Sequence, residues 1–348
     1  MFKKLIFCFD GTCNDPEDVS DFQDDISISN ILKLHALFGG KLTPHNGESE
    51  LVPKQHSFYY SGIGNRGNWL FRTINAAFAP KYGEMDDILS EAHSDLAKHY
   101  RHGDEVYIFG FSRGAAIARM FAAHLTMTVK FLGVFDTVAA TRGSLDLNPN
   151  TFPASGIVFE DDVLAPHIEQ ALHLLALDEQ RLWFQPTLFN HDSRVTEVWF
   201  AGSHSDIGGG FYADGLSDIC LQFMINRIKD KLTVLSVEQV DFSGLKIPNS
   251  KEAIAWQDLT ITADVKGELH ENFYSYGRTL THAERKVRVN VNEQATDYLP
   301  IIDISVADRF NQQIGYQPEA LRNVKYQLLD EQGHLTEPLY GIMALAQA

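Results

Sequence analysis

The stretch Val106–Gly114 reads VYIFGFSRG, and it decides the fold. Its first residues form the apolar run of a buried strand, and Gly110–Gly114 fits the pattern G-x-S-x-G with Ser112 at its centre. The small residues Ala115 and Ala116 follow, where a helix would begin. A serine between a strand and a helix is typical of a nucleophile elbow, whose tight turn needs small neighbours. A glycine-rich turn with an ordinary surface serine is the alternative.

Strand and helix patterns alternate on both sides of this stretch. Short apolar runs predict strands at Leu5–Phe9, Ser57–Tyr60, Val106–Phe109, Phe131–Phe135 and Val195–Phe200. Apolar residues at helical spacing predict helices at Ser27–Phe38, Met85–Tyr100, Ser112–Leu125, Gln170–Phe184 and Leu216–Ile228. This order is typical of an α/β fold with a doubly wound, mostly parallel sheet.

The length of 348 residues is compatible with one large domain or two small ones. The alternation of strands and helices is interrupted at roughly 140–165 and 233–300, where polar and turn-forming residues are frequent. We therefore predict a single domain over residues 1–348, with these two segments as insertions that form a cap or lid.

The charge of the chain limits its partners. Lys and Arg number 29 against 46 Asp and Glu, a formal net charge of −17, which opposes long-range attraction to nucleic acid and anionic membranes. The three cysteines indicate no disulfide framework and favour a reducing compartment. Leu5–Phe9 is too short for a signal peptide, and no apolar run approaches the roughly 20 residues of a transmembrane helix. We predict a cytoplasmic protein as synthesised, without signal peptide, transmembrane segment or nucleic-acid partner.

Asp136 is the candidate acid of a catalytic triad. A serine nucleophile needs a base, the base needs an orienting acid, and on an elbow fold the chain order is serine, acid, histidine. Asp136 follows the apolar strand Phe131–Phe135, at the end where functional residues of parallel sheets gather. The alternative is a helix N-cap assisted by Thr137.

His204 is the candidate base. It lies in EVWFAGSHSDIGGGF (Glu197–Phe211), where three successive glycines imply a sharp bend or a close approach of the backbone. Asp206 is a second acid candidate, although its closeness to His204 favours a role in shaping the loop. A loop histidine that caps the next helix is the alternative, and His270 and His282 are later rivals for the base.

The end of the first predicted strand is a candidate oxyanion site. The backbone N–H of Arg113, which follows the nucleophile, is the expected first donor. Gly11 and Thr12 follow Asp10 at the strand end and offer a second donor, with Asp10 holding that loop or Arg113 in place. A capped turn is the alternative.

Seven motifs carry a resemblance that spans nearly the whole chain. They are FDGTCN (Phe9–Asn14), YYSGIG (Tyr59–Gly64), GFSRGAA (Gly110–Ala116), GVFDTV (Gly133–Val138), LALDEQR (Leu175–Arg181), WFAGSHSDIGGGF (Trp199–Phe211) and YQPEAL (Tyr316–Leu321). In this order they resemble an α/β-hydrolase family whose best-known members are type VI secretion phospholipase effectors.

The resemblance implies a serine hydrolase that cleaves carboxylic esters through Ser112, His204 and Asp136, without a metal ion or cofactor. It implies a lipase or phospholipase A-type effector with an ester or phospholipid substrate, carried into target cells by a route that needs no signal peptide. A secretion-apparatus component and an immunity protein are the partners it implies. An esterase for a soluble substrate, or a catalytically silent binding module on the same scaffold, are the alternatives.

Two further segments carry open interpretations. In LALDEQR, the charged residues Asp178, Glu179 and Arg181 form either an internal ion network near the site or a solvated helix face. The aromatic and aliphatic residues between Trp69 and Phe78 form either an acyl pocket or lid, or an ordinary core helix.

Overall fold

The structure is a computed structural model, and it describes a large part of the chain. The described residues are 2–11, 28–44, 46, 52–62, 82–138, 163–181, 184–246, 253–270, 282–292, 294 and 296–347. Thr12, Cys13, the segment Trp69–Phe78 and most of the predicted 140–165 insertion lie outside these residues.

A mixed sheet of nine strands organises the described residues. The strands are β1 (Lys4–Phe9), β2 (Gln55–Tyr60), β3 (Glu105–Phe111), β4 (Val129–Phe135), β5 (Ala171–Ala176), β6 (Val195–Phe200), β7 (Ile301–Asp303), β8 (Lys325–Leu329) and β9 (Leu339–Tyr340). Their order is β2-β1-β3-β4-β5-β6-β7-β8-β9, parallel throughout except for the antiparallel pair β8 and β9. The strand order reverses at β1, and such switch points are where parallel sheets bind ligands.

Helices cover both faces of this sheet. They are α1 (Asn30–Leu37), α2 (Tyr82–His99), α3 (Ser112–His124), α4 (His204–Gly208), α5 (Gly215–Ile228), α6 (Trp256–Leu259) and α7 (Ile304–Gln312). Alternate residues of β1 face opposite sides: Ile6 packs in one core with α1 and α5, whereas Phe7 packs in another with α2 and α3. This two-sided packing confirms the α/β-hydrolase-like, doubly wound sheet.

The predicted helix Gln170–Phe184 is wrong, because its first half is the central strand β5. All six residues of β5 are buried, and the strand pairs with β4 on one side and β6 on the other. A short run of apolar residues does not show whether it is a strand or a buried helix. The length of six residues and the position between two parallel partners decide for a strand.

The described residues of segment 233–300 contribute no strand to the nine-stranded sheet. These residues hold α6 and the short 3-10 helices Val237–Gln239 and Phe242–Gly244, and the sheet resumes at β7. Further 3-10 helices lie at Glu319–Leu321 and Ile342–Gln347. The domain boundaries stay a prediction. Among the described helices, none is both long and apolar enough to cross a bilayer.

Candidate active site

Ser112 lies on a strained turn between β3 and α3. Its φ of 58° is in the left-handed region. This conformation is energetically unfavourable for any residue that has a side chain. The neighbouring glycines explain how the turn fits. A Cβ on Gly114 would lie 2.2 Å from the Asp10 carbonyl oxygen, and a Cβ on Gly110 would lie 2.7 Å from the Cα of Ala115. The sequence therefore needs small residues here because β1 and the first turn of α3 press against the elbow.

The structure brings the three predicted triad residues into one hydrogen-bonded chain. Ser112 Oγ lies 2.8 Å from His204 Nε2, and His204 Nδ1 lies 2.6 Å from Asp136 Oδ2. All three side chains belong to buried residues. Ser112 follows β3, Asp136 follows β4, and His204 begins α4 after β6, so the carboxyl edge of the parallel sheet gathers them.

The glycine-rich loop fixes the position of His204. The N–H of Ser203 donates to Asp206 Oδ2 at 2.8 Å, which closes the first turn of α4. A Cβ on Gly208 would lie 2.0 Å from the ring of Phe111, and Gly209 has a φ of 83° and lies against the backbone of Asn30. The glycines thus allow α4 to approach the elbow strand and α1 closely enough for His204 to reach Ser112.

Arg285 is a site residue that sequence reasoning missed. Its side chain is fully buried, and its guanidinium binds Asp136 through two hydrogen bonds, Nη1 to Oδ1 at 2.9 Å and Nη2 to Oδ2 at 2.7 Å. Burial alone would raise the pKa of Asp136, but the charge of Arg285 and the hydrogen bond from His204 hold that pKa well below its usual range. Arg285 precedes the alternating Val287, Val289 and Val291 and is in phase with them, which is the one sequence signal that could have indicated its burial.

The surroundings of His204 favour its neutral form. Burial lowers its pKa, and this outweighs the opposing hydrogen bond and charge of Asp136. The rings of Phe111 and Phe184 pack against the imidazole at centroid distances of 4.7 and 5.0 Å. Because an ionised carboxylate only accepts hydrogen bonds, Nδ1 of His204 carries the proton and Nε2 accepts from the Ser112 hydroxyl.

The charged residues of the LALDEQR stretch follow β5 and lie beside His204. Buried Glu179 binds Arg181 through two side-chain hydrogen bonds, and Glu179 Oε2 accepts from the N–H of His204 at 3.2 Å. The Arg181 guanidinium stacks on Phe184. Asp178 instead accepts from Tyr316 and from the N–H of Gly202. These contacts are those of an internal network and not of a solvated helix face.

Asp10 anchors the strand end opposite the elbow. Its Oδ2 accepts hydrogen bonds from Ser29 at 2.6 Å and Tyr59 at 2.7 Å, and its Oδ1 accepts from the N–H of Gly11 at 2.6 Å. Asp10 therefore holds its own loop. The Gly11 N–H would have to give up this carboxylate before it could bind an oxyanion, while the backbone of Arg113 lies in the first turn of α3 as expected.

His270 and His282, the two alternative candidates for the base, have other partners than Ser112 among the described contacts. His270 Nδ1 lies 2.6 Å from Asp206 Oδ1, and its ring stacks on Phe211 at a centroid distance of 3.9 Å. His282 pairs through its backbone with Arg181 in an isolated bridge. The hydrogen bond of Ser112 goes to His204.

A buried histidine that sequence reasoning did not single out supports the loop of Asp136. His173 in β5 accepts from the Thr137 N–H at 3.0 Å through Nε2, so its Nδ1 carries the proton and donates to Glu197 at 2.9 Å. Asp136 itself has a φ of 36°, a conformation rare for side-chain-bearing residues. Thr137 therefore fastens a strained backbone instead of assisting an N-cap.

A comparison with models of known protein families identifies the family of this chain. The model of the family "T6SS, Phospholipase effector Tle1-like, catalytic domain" matches residues 3–128 and 123–227, well over half of the chain. The chain belongs to this family. The matched ranges include Ser112, Asp136 and His204 and end before Arg285.

Individual relatives are more distant. An uncharacterized protein of Saccharomyces cerevisiae (strain ATCC 204508 / S288c) is 33% identical over 135 residues, which cover 34% of this chain and 17% of the yeast protein. A crystal structure of an uncharacterized protein from Pseudomonas aeruginosa has a TM-score of 0.46 at 19% identity, covering 76% of this chain and 49% of that one. The structure of the Tle1 effector bound to the VgrG spike has a TM-score of 0.38 at 24% identity, covering 61% and 52%. The chain thus spans about half or less of each of these relatives.

Proposed function

We propose that this Tle1-like domain is a serine hydrolase of phospholipase A type, which cleaves carboxylic esters of phospholipids through an acyl-enzyme. The observation that carries the proposal is the hydrogen-bonded chain from Ser112 through His204 to Asp136, placed on a strained elbow at the carboxyl edge of the sheet. Membership in a family of phospholipase effectors supports the choice of lipid esters among possible substrates.

The roles follow from the protonation states. His204 Nε2 takes the proton of Ser112 while Oγ attacks the ester carbonyl, and Asp136 stabilises the imidazolium that forms. His204 then gives this proton to the departing alcohol, which leaves an acyl group on Ser112. A water molecule repeats the sequence and frees the fatty acid, with His204 again as base.

The first turn of α3 would stabilise the oxyanion. The first N–H groups of a helix have no acceptor within that helix, and the N-terminal end of the helix dipole favours negative charge. The backbone N–H of Arg113, second residue of α3, is the proposed donor to the tetrahedral intermediate. Gly11 and Thr12 are the proposed source of a second donor.

The effector role is the wider part of the proposal. As a domain of a type VI secretion effector family, the chain would act in target cells, delivered by a component of the secretion apparatus and neutralised in the producing cell by an immunity protein. The charge of −17 favours zwitterionic over anionic lipid surfaces as the site of action.

Fatty-acid release from zwitterionic phospholipid micelles tests the activity. We expect release by the wild type and loss of roughly 10⁴-fold or more in Ser112→Ala. Release should be near normal in Ser217→Ala, which removes a hydroxyl of α5 that donates to the backbone carbonyl of Asp214. A fluorophosphonate probe should label Ser112 only in the active protein. Cleavage of soluble esters without phospholipid release would overturn the lipid substrate, and absence of labelling would overturn the serine mechanism.

A further inference from the structure

The Asp136 carboxylate receives more hydrogen bonds than a triad histidine can supply. Its Oδ1 accepts from Arg285 Nη1 at 2.9 Å and from the N–H of Ala176 at 3.2 Å, and its Oδ2 accepts from Arg285 Nη2 at 2.7 Å and from His204 Nδ1 at 2.6 Å. Asp136 and Arg285 both have fully buried side chains. The triad is thus continued by a permanently charged group beyond Asp136.

Arg285 reaches this position from a segment fastened to the loop after β5. The N–H of Ala283 donates to the Gln180 carbonyl at 2.9 Å, and the Gln185 side chain donates to the Ala283 carbonyl at 3.2 Å. His282 and Arg181 form a backbone bridge beside them. The same loop carries Glu179, which accepts from the His204 backbone, so Arg285 and His204 are held by one framework.

We infer that Arg285 is a positioning residue of the proposed reaction, which orients the Asp136 carboxylate for His204 and balances its charge so that His204 stays a base in mildly acidic solution. This inference rests on the proposed function of the triad. It assigns to Arg285 an effect on the reaction that goes beyond holding the fold together.

The orienting effect follows from the shape of the guanidinium. A carboxylate held only by an imidazole can turn about its Cβ–Cγ bond, whereas a bidentate guanidinium fixes its plane. The lone pair of Oδ2 is then directed at His204 before substrate binds. Lysine carries the same charge but lacks the planar fork, so the two effects of Arg285 can be separated by substitution.

The charge effect follows from burial. A buried carboxylate without a counter-charge attracts a proton to the neighbouring imidazole, whereas a cation bound to the same carboxylate weakens that attraction. Other charged or titratable groups interact with this pair and with His204: Glu179 and Arg181 after β5 act on His204, and His173 of β5 acts on Asp136. Nearby along the chain, Arg113 follows Ser112, Asp178 precedes Glu179, and Asp206 of α4 pairs with His270.

Two variants of Arg285 test the inference through the pH profile of kcat/KM for a soluble ester and of Ser112 labelling by a fluorophosphonate. Arg285→Met removes the fork and the charge, so we expect kcat to fall roughly 10²-fold with little change in KM, and the acidic limb to move up by about one pH unit. Arg285→Lys keeps the charge, so we expect a lower kcat with the acidic limb near that of the wild type.

Arg309→Met is the matched control. Arg309 is also buried, but its guanidinium binds the backbone carbonyls of Val265 and Gly267. We expect Arg309→Met to lower the melting temperature without moving the acidic limb.

The inference is overturned if Arg285→Met keeps the wild-type kcat, or if it shows a lower active fraction with an unchanged acidic limb. If Arg285→Met does not fold, wild-type kcat in Arg285→Lys overturns the orienting role, and an acidic limb displaced in that variant overturns the charge role. Failure of the wild type to label at Ser112 would instead overturn the proposed function.

Discussion

Helix α4 takes part in two aspartate–histidine contacts that have equal lengths but different burial and different neighbours. His204 meets Asp136 at 2.6 Å, and two residues further on Asp206 meets His270 at 2.6 Å. His204 is sealed between aromatic rings and reaches Ser112, whereas the side chain of His270 keeps 17% of its surface exposed and stacks on Phe211. A short distance alone therefore does not identify a catalytic pair.

The acids of the two pairs differ as much as the histidines. Asp136 binds the buried guanidinium of Arg285, whereas Oδ2 of Asp206 accepts hydrogen bonds from the backbone N–H groups of Ser203 and His270. Asp136 is thus held as a charged group that faces a base, and Asp206 closes a helix turn and fastens the segment that ends at His270. The groups around each carboxylate therefore separate the proposed catalytic role of Asp136 from the structural role of Asp206.

The largest expected contrast is between the two histidines. His204→Ala should lower kcat/KM by roughly 10⁴-fold or more, because Ser112 loses its base. His270→Ala, its matched control, should change kcat/KM by less than about tenfold. Ester hydrolysis by both purified variants checks this, and a comparable loss in His270→Ala would show that the second pair takes part in the reaction.

The two acids should differ in the same direction. In Asp136→Asn the amide leaves the Arg285 charge unbalanced and favours the wrong tautomer of His204, so kcat should fall by roughly 10⁴-fold. Asp206→Asn should mainly lower stability, by about 1–3 kcal/mol, through weaker bonds to Ser203 and His270. Chemical denaturation beside kinetics separates the two results. Equal losses of stability and of activity in the two variants would show that Asp136 and Asp206 do not differ in role.

The acidic limb of the pH profile sharpens the account of His204. Its folded pKa lies below 6.5 because burial outweighs Asp136, so the base form persists as the pH falls through 6.5 and is lost only at lower pH. The kcat/KM of the wild type and of His270→Ala should share this limb. A limb above 6.5 in the wild type would contradict the neutral base, and a limb displaced in His270→Ala would implicate the second pair.

Of these variants, Asp178→Asn should have the smallest effect on activity, together with a measurable effect on stability. Burial raises the pKa of Asp178 from 3.8 to about 6, since its hydrogen bonds come from uncharged groups, the Tyr316 hydroxyl and the Gly202 N–H. Between these values the unfolded chain ionises first, so stability falls as the pH rises from about 4 to about 6. Asp178→Asn should therefore raise the free energy of unfolding at pH 7 by roughly 1–3 kcal/mol, and the melting temperature with it. No such gain is expected at pH 4. Equal melting temperatures at pH 7 would refute this.

Local pattern made much of the site predictable. The elbow could be read from Gly110, Ser112 and Gly114 because the geometry of a tight turn restricts which residues fit. Asp136 and His204 could be proposed because functional groups of parallel sheets lie after strands. Asp136 directly follows an apolar run, and His204 lies between another apolar run and three successive glycines. In these cases the physical constraint acts within about ten residues of chain.

Contacts between distant parts of the chain were not predictable. Arg285 lies 149 residues from Asp136. It is in phase with the alternating Val287, Val289 and Val291, but nothing in the sequence identifies Asp136 as its partner. The strand β5 was misread as a helix because burial on both faces removes the alternation that identifies strands. In both cases the deciding partner is supplied by the tertiary structure alone.

The position of Arg285 also bears on how the protein can be shortened. The family match ends at residue 227, and a fragment cut there would keep every residue of the proposed Ser–His–Asp chain. It would also lack strands β7 to β9 and leave the Asp136 carboxylate buried without its counter-charge, an arrangement that is strongly destabilising in protein interiors. A fragment meant to keep the candidate site intact must therefore extend past Arg285, because both the sheet and the charge balance of Asp136 require it.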